Sequence, residues 1–166
     1  MTHKPLSHIK AGLALVMLAL LFGIGLGIFF GINEAYFEHY IAQGIAANPA
    51  LHDADSPEKI WRYAQRAHFH ANGIAAFSIG LLLLVSASSL KSSMKSISAL
   101  LIGLGGLYPL SWLSMFILAP SLGRDAAHAH PITEALTYVG VGALLLGLAI
   151  LLVNIFLGLF STQGED

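Results

Sequence analysis

Four long apolar stretches, each without Asp, Glu, Lys or Arg in its core, limit what the chain can fold into. A helix that crosses a bilayer needs about 20 consecutive apolar residues, and every stretch reaches that length. Hydrophobic residues make up 56% of the sequence and charged residues only 10%, whereas ordinary soluble domains carry roughly 25% charged residues. The sequence therefore predicts an all-α integral membrane protein, a four-transmembrane-helix bundle with up-down-up-down topology. Its single domain covers residues 1–166, with spans at 11–32, 71–90, 97–118 and 132–160.

The longest segment between spans, an outer loop at 33–70, carries a helix-start signal. Ser56 is a capping residue, Pro57 fits the first helical position and Glu58 suits the first turn. Apolar residues then recur at helical spacing, with basic residues on a separate face. The pattern predicts an amphipathic helix within the outer loop that runs into the second span.

The orientation follows from the basic residues near the span ends. An even number of crossings places both termini on one side, together with Lys4, Lys10, Lys91 and Lys95. Four basic residues also lie opposite, three in the long loop and Arg124 in the loop before the fourth span. Because Lys4 and Lys10 precede the first span and the Lys91–Lys95 turn is short, the positive-inside rule favours cytoplasmic termini in a bacterial inner (plasma) membrane.

Several function classes lack support in the sequence. The net charge is −1 and no basic stripe or nucleic-acid motif occurs, so no nucleic-acid partner is predicted. With no cysteine, disulfides, iron–sulfur clusters and thiolate zinc sites are excluded. The sequence contains no recognised nucleophile arrangement and no HExxH helix that would indicate an enzyme. It also has no charged residue near the centre of a span, where a transport pathway would be expected to need one.

Two histidine pairs are the strongest chemical signal. His68 and His70 stand before the second span in RAHFHANG, and His128 and His130 stand before the fourth in AHAHPITEAL. In a four-crossing chain the second and fourth helices run in the same direction, so both pairs lie at the same membrane boundary. The two stretches align at an offset of 60 residues, either as parallel repeats about an axis normal to the membrane or by chance between apolar helices.

Backbone geometry limits what each pair can bind. His68 and His70 in one helix point about 200° apart, so one metal ion is not expected to bind both. Pro131 disfavours helical geometry in the residue before it, and in an extended segment His128 and His130 point the same way and can chelate.

Carboxylates and one more imidazole complete the predicted site. Glu134 stands four residues after His130, and the first span is followed by Glu34, Glu38 and His39. A mixed set of imidazole and carboxylate ligands suits copper, iron or zinc. The candidate metal ligands are therefore His68, His70, His128, His130, Glu134, Glu34, Glu38 and His39.

The sequence thus predicts a histidine-rich site at the outer membrane boundary, for electron transfer or metal handling. One version is a b-type haem held between the second and fourth helices by His68 or His70 and by His128 or His130. Another version binds copper or a different transition metal through the same residues. An alternative is a non-catalytic accessory subunit that packs against a membrane partner through Gly23, Gly27 and Gly31. Boundary histidines also occur as interfacial residues that bind nothing.

Overall fold

The computed structural model describes residues 6–162, so Lys4 lies outside the described residues. Within that range the named elements are all helical. They are α1 (Lys10–Ala47), α2 (Ser56–Ala87), α3 (Ser92–Leu104), α4 (Tyr108–Leu122), α5 (Arg124–His128) and α6 (Pro131–Leu157), with 3₁₀ turns at Pro49–Leu51 and Gly105–Leu107.

Four helical segments among the described residues are long and apolar enough to cross a membrane. They are Lys10–Ala47, Ser56–Ala87, Ser92–Leu122 and Pro131–Leu157. Large apolar side chains such as Leu21, Leu83, Leu145 and Phe156 lie exposed on them, as expected for helices that contact lipid. The all-helical fold with four candidate spans is confirmed and indicates an integral membrane protein.

The segment predicted as an outer loop is mostly helical. Helix α1 continues to Ala47 and bends at Asn33, whose φ of −147° and ψ of 53° are non-helical. Helix α2 begins at Ser56, as the capping signal predicts, and continues unbroken to Ala87. The extension of α1 is stabilised by burial of Phe37 and Ile41 against α2 and α4. The loop prediction for 33–55 is therefore wrong except at 48–55, because tertiary burial outweighs the polar composition of this segment.

The third candidate span lies at the centre of the packing. Its halves, α3 and α4, contact α1, α2 and α6, whereas α2 and α6 contact each other only marginally. Glycines allow the close approaches: Gly12 lies against the Ala99 backbone, and Gly147 lies against Ser98. The arrangement is three mutually packed spans with α6 attached to the third.

The third span is interrupted by the 3₁₀ turn Gly105–Leu107, which ends two residues before Pro109. Proline has no N–H to donate to the carbonyl four residues earlier, which here belongs to Gly105. The N–H of Tyr108 donates to the Gly105 carbonyl instead. This 3₁₀ turn therefore satisfies the carbonyl that the proline leaves free.

One end of the bundle, the loop end, is held by contacts between the α1–α2 link and the C-terminal end of α4. The Pro120 carbonyl lies 3.0 Å from His52 Nε2 and accepts a 3.4 Å hydrogen bond from Asn48 Nδ2. Arg124 forms an ion pair with Asp53 at 3.7 Å. These contacts hold residues 48–55 over the C-terminus of α4.

The opposite end, the terminal end, is closed by the segment that follows α6. Lys91 N–H donates to Phe160 O, and Thr162 N–H donates to Ser89 O, both at 2.9 Å. The Asn154 amide nitrogen donates to Leu159 O at 2.8 Å and to Ser161 Oγ at 3.0 Å. Asn154, a polar residue near the end of the fourth span, thereby joins this segment to the α2–α3 turn.

Replacing Asn154 with Ala is expected to release the C-terminal segment. The change removes the hydrogen bonds to Leu159 O and Ser161 Oγ, and a typical hydrogen bond contributes about 0.5–1.5 kcal/mol. Hydrogen exchange should accelerate at residues 158–162 and at the α2–α3 turn while the remaining helices keep their protection. Unchanged exchange at both places would contradict a clamping role.

Asp53 is expected to make the loop end sensitive to acid. The pKa of its carboxyl is lowered from the ordinary value, first by the Ser56 hydroxyl and then by the Lys59 and Arg124 charges. A carboxyl group whose pKa is lower in the folded than in the unfolded protein stabilises the fold at any pH above its unfolded-state pKa. This stabilisation is lost as the pH falls through its folded-state pKa.

Asp53→Ala should therefore lower the melting temperature slightly at neutral pH, and the difference should disappear as the pH falls through the lowered pKa of Asp53. Asp125→Ala, another exposed carboxylate at the loop end, is the control. A difference that persists in acid would contradict the electrostatic explanation.

Candidate functional site

His68 is held between α1 and α2 by the absence of a side chain at Gly27. A Cβ at Gly27 would overlap the imidazole at Cε1. His68 Nδ1 lies 2.7 Å from the carbonyl oxygen of Gly23, one turn earlier on α1. The Phe30 ring contacts the imidazole edge-on, with 5.9 Å between centroids. The ring is therefore fixed by a backbone acceptor on one side and an aromatic wall on another.

The Gly23 contact determines the tautomer of His68. A carbonyl oxygen only accepts, so Nδ1 carries the proton and, in the neutral ring, Nε2 has a free lone pair. The amide nitrogen of Asn72 lies 3.2 Å from Nδ1, and Asn72 Oδ1 is buried without a partner in the described chain. A half-turn of this amide would place Oδ1 as a second acceptor for the Nδ1 proton.

A groove of about 330 Å³ lies beside the His68 ring, between α1 and α2. Its polar lining comes from His68, Glu34 and Gln65, and the remainder is glycine and aromatic: Gly27, Gly31, Phe30, Trp61 and Phe69. Two of the predicted ligands, His68 and Glu34, are therefore brought to one groove. An imidazole nitrogen and a carboxylate are ligand types that copper, iron and zinc accept.

His70 points to a different neighbour. Its Nδ1 donates to the Arg66 carbonyl at 2.8 Å, and its ring stacks on Trp112 of α4 at 5.5 Å between centroids with 26° between planes. Tyr108 contacts the same ring edge-on, and the Arg66 guanidinium lies over Trp112 at 4.8 Å. As the helical spacing predicts, His68 and His70 point in different directions, the first to α1 and the second to α4.

His128 and His130 do not form one extended chelating pair. His128 is the last residue of α5 and is exposed, whereas only His130 is extended. Pro131 restricts His130, directly before it, but not His128, three positions before it, so the prediction of an extended pair is wrong. His130 Nδ1 accepts the N–H of Ile132 at 3.3 Å and caps α6.

The other predicted ligands are distributed over the surface. Glu134, Glu38 and His39 are exposed. Glu38 lines a second, larger groove of about 510 Å³ that Glu58 and Trp61 also border. Across residues 6–162 no group of three or more His, Cys, Asp or Glu side chains is arranged to hold a metal ion. The structure brings His68 to Glu34 but does not gather all eight predicted ligands.

The sequence did not assign three residues to this site: two glycines that position His68 and a tryptophan that lines the groove. Gly27 was interpreted as part of a helix-packing stripe, yet it makes room for an imidazole within the same chain. Gly23 supplies the carbonyl acceptor, and Trp61 forms a groove wall. His68 and Asn72 stand four residues apart, a spacing that places two side chains on one helical face, and the Asn72 amide nitrogen lies 3.2 Å from His68 Nδ1.

No known protein family, curated protein or solved structure matches this chain.

Proposed function

We propose that this protein is an integral membrane protein that binds a redox-active metal centre, a b-type haem or a transition-metal ion, at His68 for electron transfer or metal handling. The observation that carries the proposal is the fixed imidazole. Its Nδ1 donates to Gly23 O, and its Nε2 makes no hydrogen bond within residues 6–162. Ligating histidines characteristically donate the other ring N–H to a carbonyl or carboxylate, which fixes the tautomer and raises ligand basicity.

The lining of the groove suits a transition-metal ion or a haem. Glu34 supplies a carboxylate beside His68, and Phe30, Trp61 and Phe69 supply an apolar wall. An apolar surrounding limits the access of water to a bound metal and thereby affects the reduction potential of that metal. A second imidazole from His128 or His130 remains a prediction.

The membrane arrangement belongs to the same proposal. We place the four helices across the plasma membrane in up-down-up-down order, with the termini, Lys10, Lys91 and Lys95 in the cytoplasm. The chain has no cysteine, so single introduced cysteines report sidedness. Ala50→Cys should react with an impermeant maleimide in intact cells, and Ser92→Cys only after permeabilisation. The reverse pattern would overturn the orientation.

The function is tested on detergent-purified protein by a visible spectrum and metal content measured on the same sample. The parent should show a Soret band that shifts on reduction, or a stoichiometric transition metal. His68→Ala should lose it, whereas His8→Ala, a change at a histidine outside the predicted ligand set, is the matched control. A parent that contains neither haem nor metal after growth with both would overturn the proposal.

A second candidate is a non-catalytic accessory subunit. Gly23 and Gly27, two residues of the predicted docking stripe, are covered by α2, but a Cβ at Gly31 would contact nothing within 4 Å. An uncovered small residue lets a partner helix approach closely. Co-purification of a stoichiometric partner that is lost in Gly31→Leu would support this candidate, and its retention would exclude Gly31 as the contact.

A further inference from the structure

A recess of about 370 Å³ lies on the outer face of α2 and shares Phe69 with the groove beside His68. It is lined by Phe69, His70, Gly73, Ile74 and Phe77. A Cβ added at Gly73 would meet nothing within 4 Å, so the glycine leaves the floor open. All five lining residues belong to α2, so the recess is a shallow depression along one helix, open to a flat ring that lies against it.

His70 presents one hydrogen-bond acceptor to this recess. Its Nδ1 proton is already donated to the Arg66 carbonyl, so the neutral ring has its lone pair on Nε2. The ring is held by stacking on Trp112 and by the edge of Tyr108. A ligand that satisfies Nε2 must therefore bring a donor, such as a hydroxyl group.

The remaining lining selects a flat apolar ligand that arrives from the membrane. Phe69 and Phe77 are 66% and 48% exposed, on a face of α2 that would meet lipid. Aromatic rings prefer offset or edge-to-face neighbours and contribute about 0.5–1.5 kcal/mol beyond the buried area. His70 is the one polar side chain of this lining, beside the phenyl rings of Phe69 and Phe77, so a ring with a hydroxyl and an apolar tail fits this chemistry.

We propose that this recess binds a membrane-dissolved hydroquinone, whose ring lies between Phe69 and Phe77 and whose hydroxyl donates to His70 Nε2. The proposal concerns binding and does not depend on a metal centre at His68, which contacts α1. The oxidised quinone has no hydroxyl to donate to Nε2. The reduced form should therefore bind about tenfold more tightly than the oxidised form, the value expected for one hydrogen bond.

The test uses the full chain in lipid nanodiscs, with tetramethylhydroquinone and tetramethylbenzoquinone as probes. Equilibrium dialysis measures binding, and empty nanodiscs correct for partition into lipid. Gly73→Leu fills the recess and should weaken binding of the reduced probe by tenfold or more. Gly80→Leu is the matched control, since Gly80 is another glycine of α2 with open space around it.

Two further variants test the hydrogen bond to His70 and the independence of this recess from the His68 site. His70→Phe keeps a ring against Trp112 but has no acceptor, so it should abolish the preference for the reduced probe. His68→Ala should bind both probes as the parent does. The proposal would be overturned by any of three results: equal binding of the two probes by the parent, unchanged binding in Gly73→Leu, or an equal loss in Gly80→Leu. The recess would then be a depression that lipid fills.

Discussion

Gly12→Leu is expected to destabilise the bundle more than any other glycine substitution in α1. A Cβ at this position would overlap the carbonyl oxygen of Ala99 on α3, and a backbone atom cannot turn away as a side chain can. Overpacking typically costs 1–3 kcal/mol and occasionally more, so we expect a loss of about 3 kcal/mol or more. In a chain of this size the melting temperature should fall by about 6–12 °C.

Gly25→Leu is the matched control for Gly12→Leu. Both glycines lie in the first candidate span, but a Cβ at Gly25 would meet nothing within 4 Å, so the new leucine should face lipid at no cost. Both variants are measured by thermal unfolding in the same detergent. Similar melting temperatures for the two would contradict the packing of α1 on α3.

The spans are the part of the fold that the sequence predicts best, because the requirement of about 20 apolar residues comes from the bilayer and not from tertiary contacts. The predicted end of the first span at residue 32 coincides with the bend at Asn33. Ser56, Pro57 and Glu58 predict the start of α2 to within one residue, with Asp55 at the N-cap in place of Ser56. Each of these features depends on local residues alone.

The extension of α1 could not be predicted in the same way. Residues 34–47 combine carboxylates, a histidine and apolar residues, and their helix is stabilised by Phe37 and Ile41 packed against α2 and α4. That burial depends on which helices become neighbours. The marginal contact between α2 and α6 likewise depends on how all four spans pack together. The hydrophobic pattern of a single span does not determine which spans become its neighbours.

The candidate site was partly predictable. Helical spacing correctly separates the directions of His68 and His70 and correctly pairs His68 with Asn72. What sequence could not show is which neighbour each ring meets: the carbonyl of Gly23 for one and the indole of Trp112 for the other. Pairings between distant helices set these contacts.

Gly27→Ala is expected to abolish most ligand binding at His68 while preserving the fold. The added methyl group would overlap the imidazole at Cε1, and because a side chain can rotate away, the helices need not separate. Rotation breaks the 2.7 Å contact between Nδ1 and Gly23 O, and loss of such a supporting contact typically lowers metal affinity by about 10–100-fold.

Gly31→Ala distinguishes this effect from a general change in the groove. Gly31 lines the same groove one turn further along α1, yet a Cβ there meets nothing within 4 Å, so the parent affinity should be retained. Titration of the metal-free protein with Cu²⁺ and with haem, followed by absorbance, measures both variants, and their melting temperatures should match the parent. If Gly27→Ala binds as tightly as Gly31→Ala, the fixed orientation of the His68 imidazole does not contribute to binding, since the methyl group can be accommodated only by moving that ring.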